Sequence, residues 1–162
     1  MRIGVVSDTH NNLKNVARIV ELFNDAGVDR VIHTGDITRP GTLEHFATLE
    51  APLLGVYGNN DMGERRELEA AARRLGCEFV LPPLDLFWHG RRLLVVHDPL
   101  EFDGQLTAGH EIALHGHTHR RRLEWIEGRL WFNPGESAGH MRGLNAVGVL
   151  DLETLEADIM HF

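Results

Sequence analysis

Eleven histidines are many for 162 residues, and several of them stand with aspartates just after short apolar runs. Asp8 and His10 follow Ile3–Ser7, Asp36 follows Arg30–His33, and Asn59 follows Leu53–Tyr57. His97 follows Leu93–Val96, and His117 and His119 follow Ile112–His115. Mixed carboxylate, imidazole and amide donors suit borderline divalent cations such as Mn²⁺, Fe²⁺, Zn²⁺, Co²⁺ or Ni²⁺, whereas Ca²⁺ and Mg²⁺ prefer all-oxygen sets. On an extended backbone, Asp8-x-His10 and His117-x-His119 each place two side chains on one side, because strand side chains alternate. Gly35, Gly58 and Gly116 stand directly before Asp36, Asn59 and His117, where a tight turn brings backbone close to an ion. Seven donors exceed one coordination sphere that must keep a water, and they divide naturally between two ions.

The elements that must carry these donors change character along the chain. Ile3–Ser7, Arg30–His33 and Leu53–Tyr57 read as strands buried on both faces. Between the first two, Leu13, Val16, Ala17, Val20 and Phe23 recur at helical spacing, capped by Asn11 or Asn12 and stopped by Gly27. Pro40–Leu49 predicts a short helix, and Glu64–Leu75 predicts another that Gly76 ends. That β-α-β-α-β-α order is the signal for a parallel sheet with right-handed crossovers. The second half predicts short strands at Glu78–Leu81, Leu84–Trp88, Leu93–Val96, Ile112–His115, Leu123–Ile126, Leu130–Phe132, Ala146–Leu150 and Leu155–Phe162, with hairpin turns at His89-Gly90 and Glu127-Gly128. Half parallel α/β and half antiparallel β predicts an α/β fold of two packed sheets with helices outside. No Pro/Gly/Ser-rich linker divides the halves, so residues 1–162 are read as one domain. Loops at the carboxyl edge of an open α/β sheet share a crevice, which predicts one cluster of donors rather than scattered histidines.

Composition narrows the function classes. A net charge of −8 opposes bulk nucleic acid and anionic lipid. Cys77 is the only cysteine, which excludes an internal disulfide and fits a reducing compartment. The apolar run at the N-terminus is too short for a signal-peptide core, and no run approaches the ~20 residues of a membrane span. A cytoplasmic protein with no membrane partner is the expectation.

In order, Asp8-x-His10, Gly35-Asp36, Gly58-Asn59-Asn60-Asp61, His97, Gly116-His117-Thr118-His119 and Asn133-Pro134-Gly135 resemble the calcineurin-like metallophosphoesterase superfamily, in its small bacterial and archaeal phosphodiesterase subgroup. The resemblance implies two mixed β-sheets packed as a sandwich with helices on the outer faces. It implies one ion held by Asp8, His10, Asp36 and His119, and a second held by Asp36, Asn59, His97 and His117, with Asp36 bridging. Manganese is the favoured metal. The implied chemistry is hydrolysis of a small phosphodiester by a metal-bridging hydroxide, with Asp36, Asn59 and His97 assigned to catalysis. Two ions with their carboxylates and a hydroxide leave a formal charge of about +1, so an acidic chain can still attract an anionic ester locally. Homo-oligomerisation is compatible with the sequence.

The chain departs from the family pattern at three places. Asn60 stands where the superfamily usually has a proton-donating His, and an amide is no general acid at neutral pH. Asp98-Pro99 follows His97 in place of Gly, and Glu136 separates Gly135 from Ser137. Other residues have bland readings. His33 and His115 are read as structural, with an outer contact to the site as the alternative for His33. His45, His89, His110, His140 and His161 lack ligand spacing, Asp61 is read as a cap for the helix at Glu64 with orientation of a ligand as the rarer alternative, and Cys77 as a buried apolar residue. Arg120, Arg121 and Arg122 read as a solvated strand face, with a phosphate-contacting rim as the rarer alternative, and Arg39 is a lesser candidate of the same kind. Two rival functions stand beside the diesterase: a non-catalytic protein-binding scaffold of the same fold, and a phosphomonoesterase or nucleotide hydrolase.

Overall fold

The computed structural model describes residues 1–162. Strand β1 (Arg2–Val6) leads through helix α1 (Leu13–Ala26) to β2 (Arg30–His33), and through α2 (Pro40–Glu44) to β3 (Leu53–Val56). A 3₁₀ turn (Asn59–Glu64) and α3 (Arg65–Leu75) precede β4 (Glu78–Val80). There follow β5 (Leu84–Trp88), β6 (Arg91–Val95), a 3₁₀ turn (Pro99–Phe102), β7 (Ile112–Leu114), β8 (Arg122–Ile126), β9 (Arg129–Asn133), β10 (Ala146–Asp151) and β11 (Ala157–His161). One sheet has the order β11-β10-β1-β2-β3-β4 and the other β5-β6-β7-β9-β8. Both are mixed, as expected.

Alternation along β1 shows how the layers form. Ile3 and Val5 face the second sheet and join Ile32, Val56, Leu93, Val95, Ile112, Leu114 and Phe132 in the core between the sheets. Val6 faces the other way, into a core with Val16, Ile19 and Phe23 of α1, Leu43 of α2 and Leu68 of α3. All three helices therefore cover the outer face of the first sheet. The outer face of the second carries the Pro99–Phe102 turn instead, where Phe102 packs on Leu94, Val96 and Ala113. Local signals act as read at α1, where Asn12 accepts a hydrogen bond from the Asn15 N–H at 3.2 Å and Gly27 closes the helix at φ 60°. His89-Gly90 and Glu127-Gly128 have positive φ at both residues, the two-residue turn that matches the twist of flanking antiparallel strands.

Three expectations are corrected. The second half is not an antiparallel unit: β6 pairs β7 and β7 pairs β9 in parallel, and β10 and β11 return to the first sheet. Short apolar runs on both sheets look alike, and pairing depends on partners far along the chain. Helix α2 stops at Glu44, with His45–Thr48 in turns rather than helix. Asn59–Glu64 is a 3₁₀ turn, so α3 starts at Arg65.

Phe132 is fully buried between the sheets, and its ring fills the space left by Gly148, where a Cβ would strike it. Phe132→Ala should cost about 3–5 kcal/mol in denaturant unfolding. A loss under about 1 kcal/mol would show that the intersheet layer is not the packed core described here.

Candidate metal centre

The loops after β1, β2, β3, β6 and β7 meet at one edge of the sandwich, the first three from one sheet and the last two from the other. Their backbone is not extended. Asp8 (φ 52°), His10 (41°), Asp36 (60°), His117 (65°) and His119 (55°) all occupy the left-handed region. This corrects the reading of Asp8-x-His10 and His117-x-His119 as alternating strand residues. The left-handed conformation costs an L-residue about 1 kcal/mol each, least for Asp, Asn and His, and such outliers gather at functional sites. One consequence is that His117 and His119 diverge, each toward a different group of donors.

In the first group, Asp8 Oδ1 lies 3.4 Å from His119 Nε2 and 3.8 Å from His10 Nε2, and the two Nε2 atoms are 3.2 Å apart. In the second, Asn59 Oδ1 lies 3.0 Å from both His97 Nε2 and His117 Nδ1, which are 3.2 Å from each other. Asp36 touches both groups: Oδ2 is 3.3 Å from His10 Nε2 and Oδ1 is 3.4 Å from His97 Nε2. All seven donors named in the sequence come together. Asp8, Asp36 and His97 are buried, while Asn59 and His117 are exposed, so the cluster opens to solvent on their side.

Close backbone approach makes this possible. A Cβ at Gly116 would collide with the Ser7 hydroxyl and come within 2.8 Å of Asp8 Oδ2, and one at Gly58 would stand 2.5 Å from the Asp36 nitrogen. Asp8 Oδ2 accepts from the Ser7 hydroxyl and from the His117 N–H. Asp61 does not cap α3, whose N-cap position, Glu64, makes no side-chain bond; the Asp61 contacts favour the alternative, the holding of a donor loop. The buried Asp61 carboxylate accepts from the N–H groups of Asp36 (3.0 Å), Gly58 (2.7 Å) and Thr38 (2.6 Å), tying the Asp36 loop to the Asn59 loop. Asn60 holds Asp36 directly, its N–H donating to Oδ1 at 2.9 Å and its side-chain amide to Oδ2 at 2.8 Å.

Three imidazoles also have a partner on the ring nitrogen that faces away from the cluster. His97 Nδ1 lies 2.9 Å from the Thr34 carbonyl, His119 Nδ1 lies 3.3 Å from Glu136 Oε2, and His117 Nε2 lies 3.5 Å from Asp98 Oδ2. When a cation binds, such partners would fix the tautomer and leave the other nitrogen as a lone-pair donor. Glu136 is fully buried and also accepts from the N–H groups of His140 and Met141. His140, one of the histidines without ligand spacing, stacks on His119 at 5.4 Å with an interplanar angle of 7°. Spacing gave no signal for these contacts, although Asp98 and Glu136 are two of the departures from the family pattern. His33 is wholly buried, with Nδ1 accepting from the Gly35 N–H and Nε2 facing Thr9 Oγ1 at 3.1 Å. Burial pushes its pKa down to about 3, so it is a neutral strut. His115 is buried, with Nδ1 3.0 Å from the Gly116 carbonyl oxygen.

Charge and burial compete here. Burial raises the Asp8 carboxyl above its ordinary value despite the Ser7 hydrogen bond, and burial lowers His10. Burial also opposes ionisation of Asp36 and His97, but their mutual attraction wins: Asp36 lies well below the usual carboxylate range, and His97 is raised to about 9. One observation tests whether a cation fits. Asp8 Oδ1 is buried and receives no hydrogen bond, although an orphaned carboxylate oxygen is among the costlier groups to bury. It points, with His10 and His119, at a common position. The unsatisfied oxygen and the converging imidazole nitrogens fit divalent cations by donor chemistry.

Residues 1–155 match the calcineurin-like phosphoesterase superfamily domain, and the chain belongs to that family. It is 33% identical to a phosphodiesterase of Methanocaldococcus jannaschii, over 96% of both chains. A solved structure described as a novel archaeal phosphodiesterase superposes with a TM-score of 0.89 at 30% identity, each chain covered completely. Vps29 of Entamoeba histolytica, solved in complex with Zn²⁺, shares the fold at a TM-score of 0.68 and 16% identity, over 99% of this chain and 91% of that one.

The His97 shift has a definite sign. Its folded pKa of about 9 exceeds the ordinary 6.5, so in cation-free protein its stabilisation is complete below pH 6.5 and is lost as pH rises through 9. The melting temperature of chelated protein should fall across that window, and Asp36→Asn should flatten the fall. A chelated protein whose melting temperature is constant from pH 6.5 to 9 would contradict the ion pair.

Proposed function

We propose that this chain hydrolyses small phosphodiesters at a centre of two divalent cations, Mn²⁺ being favoured and Ni²⁺, Fe²⁺, Zn²⁺ or Co²⁺ compatible. The observation that carries the reading is Asp36, whose two oxygens face two separate groups of donors at 3.3 and 3.4 Å. Asp8, His10, Asp36 and His119 would hold one cation, and Asp36, Asn59, His97 and His117 the other. Bound divalent ions supply Lewis acidity at phosphoryl oxygens and bring the pKa of water to about 7. The M. jannaschii relative, a phosphodiesterase, supports the diester class. The reading places a single domain of 162 residues in the cytoplasm; no helix is long and apolar enough to cross a membrane.

The chain's own residues prepare this centre. Asp36, Asn59 and His97 are the groups assigned to catalysis. Thr34, Asp98 and Glu136 hold three imidazoles in the tautomers that present lone pairs inward. Asn60 is committed to Asp36 through two hydrogen bonds and has no acidic proton to deliver. His33 is excluded as a substitute donor, because it is neutral and fully buried. With His97 engaged by a cation, neither Asn60 nor His33 could protonate a departing alkoxide.

The reading is tested by stripping the protein of metal, restoring each cation singly, and comparing p-nitrophenyl diesters with p-nitrophenyl monoesters. Cation-dependent hydrolysis that favours diesters, and that Asp36→Ala abolishes, is expected. Faster monoester turnover would make the chain a monoesterase, and no turnover with any cation would favour the non-catalytic protein-binding scaffold.

Two variants probe its parts. Glu136→Gln removes one of two acceptor oxygens and should weaken cation affinity about 10- to 100-fold by calorimetry; an unchanged affinity would show that Glu136 does not orient His119. Without a general acid, rates across a series of diesters should fall steeply as the leaving-group pKa rises. Asn60→His should flatten that dependence, with gains on poor leaving groups of up to about 10²–10⁴-fold. A flat dependence in the unmodified protein would refute the missing-acid reading.

A further inference from the structure

Arg120 and Arg121 follow His119 directly, but β8 begins only at Arg122. The strand-face reading therefore holds for Arg122 alone, which pairs with Glu124 and lies 4.4 Å over the Trp131 ring. Arg120 and Arg121 sit in the loop with exposed guanidinium groups that meet no carboxylate. They line a cavity of about 430 Å³ together with His119, Met141, Leu144 and His161. No acidic residue lines it, in a chain whose net charge is −8. Glu136, next in sequence to the lining residue Gly135, is fully buried and engaged by His119 and the His140 and Met141 N–H groups. Those bonds also hold the segment that forms the opposite wall.

His119 belongs both to the donor cluster and to this cavity. A phosphodiester reacting at the cluster therefore has one neighbouring space into which an ester arm can extend. Met141 and Leu144 offer apolar surface to the organic part of that arm. Two unpaired guanidinium groups offer planar, bidentate donors, which suit phosphate oxygens. We propose that this cavity is a specificity subsite for a diester arm that carries a phosphate group of its own. The proposal rests on the hydrolytic reading of the donor cluster.

Two substrates with the same scissile bond test it: the p-nitrophenyl ester of thymidine 5′-phosphate, with and without a 3′-phosphate. The 3′-phosphorylated ester should have a kcat/KM about tenfold higher at low ionic strength. The advantage should shrink as salt is added. Arg120→Gln combined with Arg121→Gln should bring the ratio of the two substrates close to one. Arg66→Gln combined with Arg73→Gln, two exposed arginines on α3, should preserve the ratio and control for the two lost charges. Equilibrium binding of thymidine 3′,5′-bisphosphate against thymidine 5′-monophosphate, by calorimetry, gives a readout independent of turnover. Turnover of both esters at equal efficiency, with equal binding of the two nucleotides, overturns the subsite and leaves the hydrolytic reading standing. Preferential, Arg120- and Arg121-dependent binding of the bisphosphate without turnover of either ester supports the subsite and overturns the hydrolytic reading. A preference that survives the double substitution overturns the assignment to these arginines.

Discussion

Asp36 is the point on which both halves of this molecule converge. Its Oδ2 faces His10, carried by the loop after β1, and its Oδ1 faces His97, carried by the loop after β6 of the other sheet. The carboxylate therefore keeps its place only while the two sheets stay stacked with their carboxyl edges level. The intersheet layer of Ile3, Val5, Ile32, Leu93, Val95, Ile112 and Leu114 enforces that alignment by close packing of strands from both sides. Asp61 and Asn60 then hold the Asp36 loop through five hydrogen bonds, two to its carboxylate and three from loop N–H groups to Asp61. Packing sets the position of the edge, and polar contacts set the orientation of the group at its centre.

The arrangement works against the stability of the cation-free chain. Five of the seven donors sit at positive φ. Asp8 is buried with one oxygen unsatisfied, and imidazole nitrogens face each other at 3.2 Å. These costs are of the kind that binding offsets, since a ligand that prefers the folded state stabilises it by mass action. The protein meets them with two large apolar cores, and the His97–Asp36 attraction relieves part of the charge imbalance meanwhile. Electrostatics outside the cluster continue the same division. Carboxylates at Asp98 and Glu136 attend the imidazoles, while the cationic Arg120 and Arg121 face open space beside them.

Much of this was legible in the residues. The β-α-β order, the caps at Asn12 and Gly27 and the two-residue turns at His89-Gly90 and Glu127-Gly128 are local features, set within a few residues. The convergence of Asp8, His10, Asp36, Asn59, His97, His117 and His119 followed from one topological rule about strand ends, together with a motif order that few folds share. What could not be read is what depends on distant partners. Whether β7 pairs in parallel with β6 and β9, and whether β10 returns to β1, is decided by contacts between residues well separated along the chain, from Leu93 with Ile112 to Ile3 with Leu150. The left-handed backbone at Asp8 and His119 arises from loops wrapping a common point, which alternation along a strand does not describe. Asp61 is a good capping residue by type, and only the fold shows that its carboxylate faces the Asp36 loop instead. Asp98 and Glu136 stood out as departures, but a departure does not say which imidazole a carboxylate will meet.

The shared role proposed for Asp36 is that one carboxylate would serve two cations. Direct determination of bound Mn²⁺ per chain, by equilibrium dialysis with elemental analysis, tests it when done on the unmodified protein and on Asp36→Ala. Two tightly held ions per chain are expected in the first, and loss of tight binding at both positions in the second. A single ion in the unmodified protein, or one tight ion left undisturbed by Asp36→Ala, would show that Asp36 belongs to one group of donors only and would contradict the shared centre.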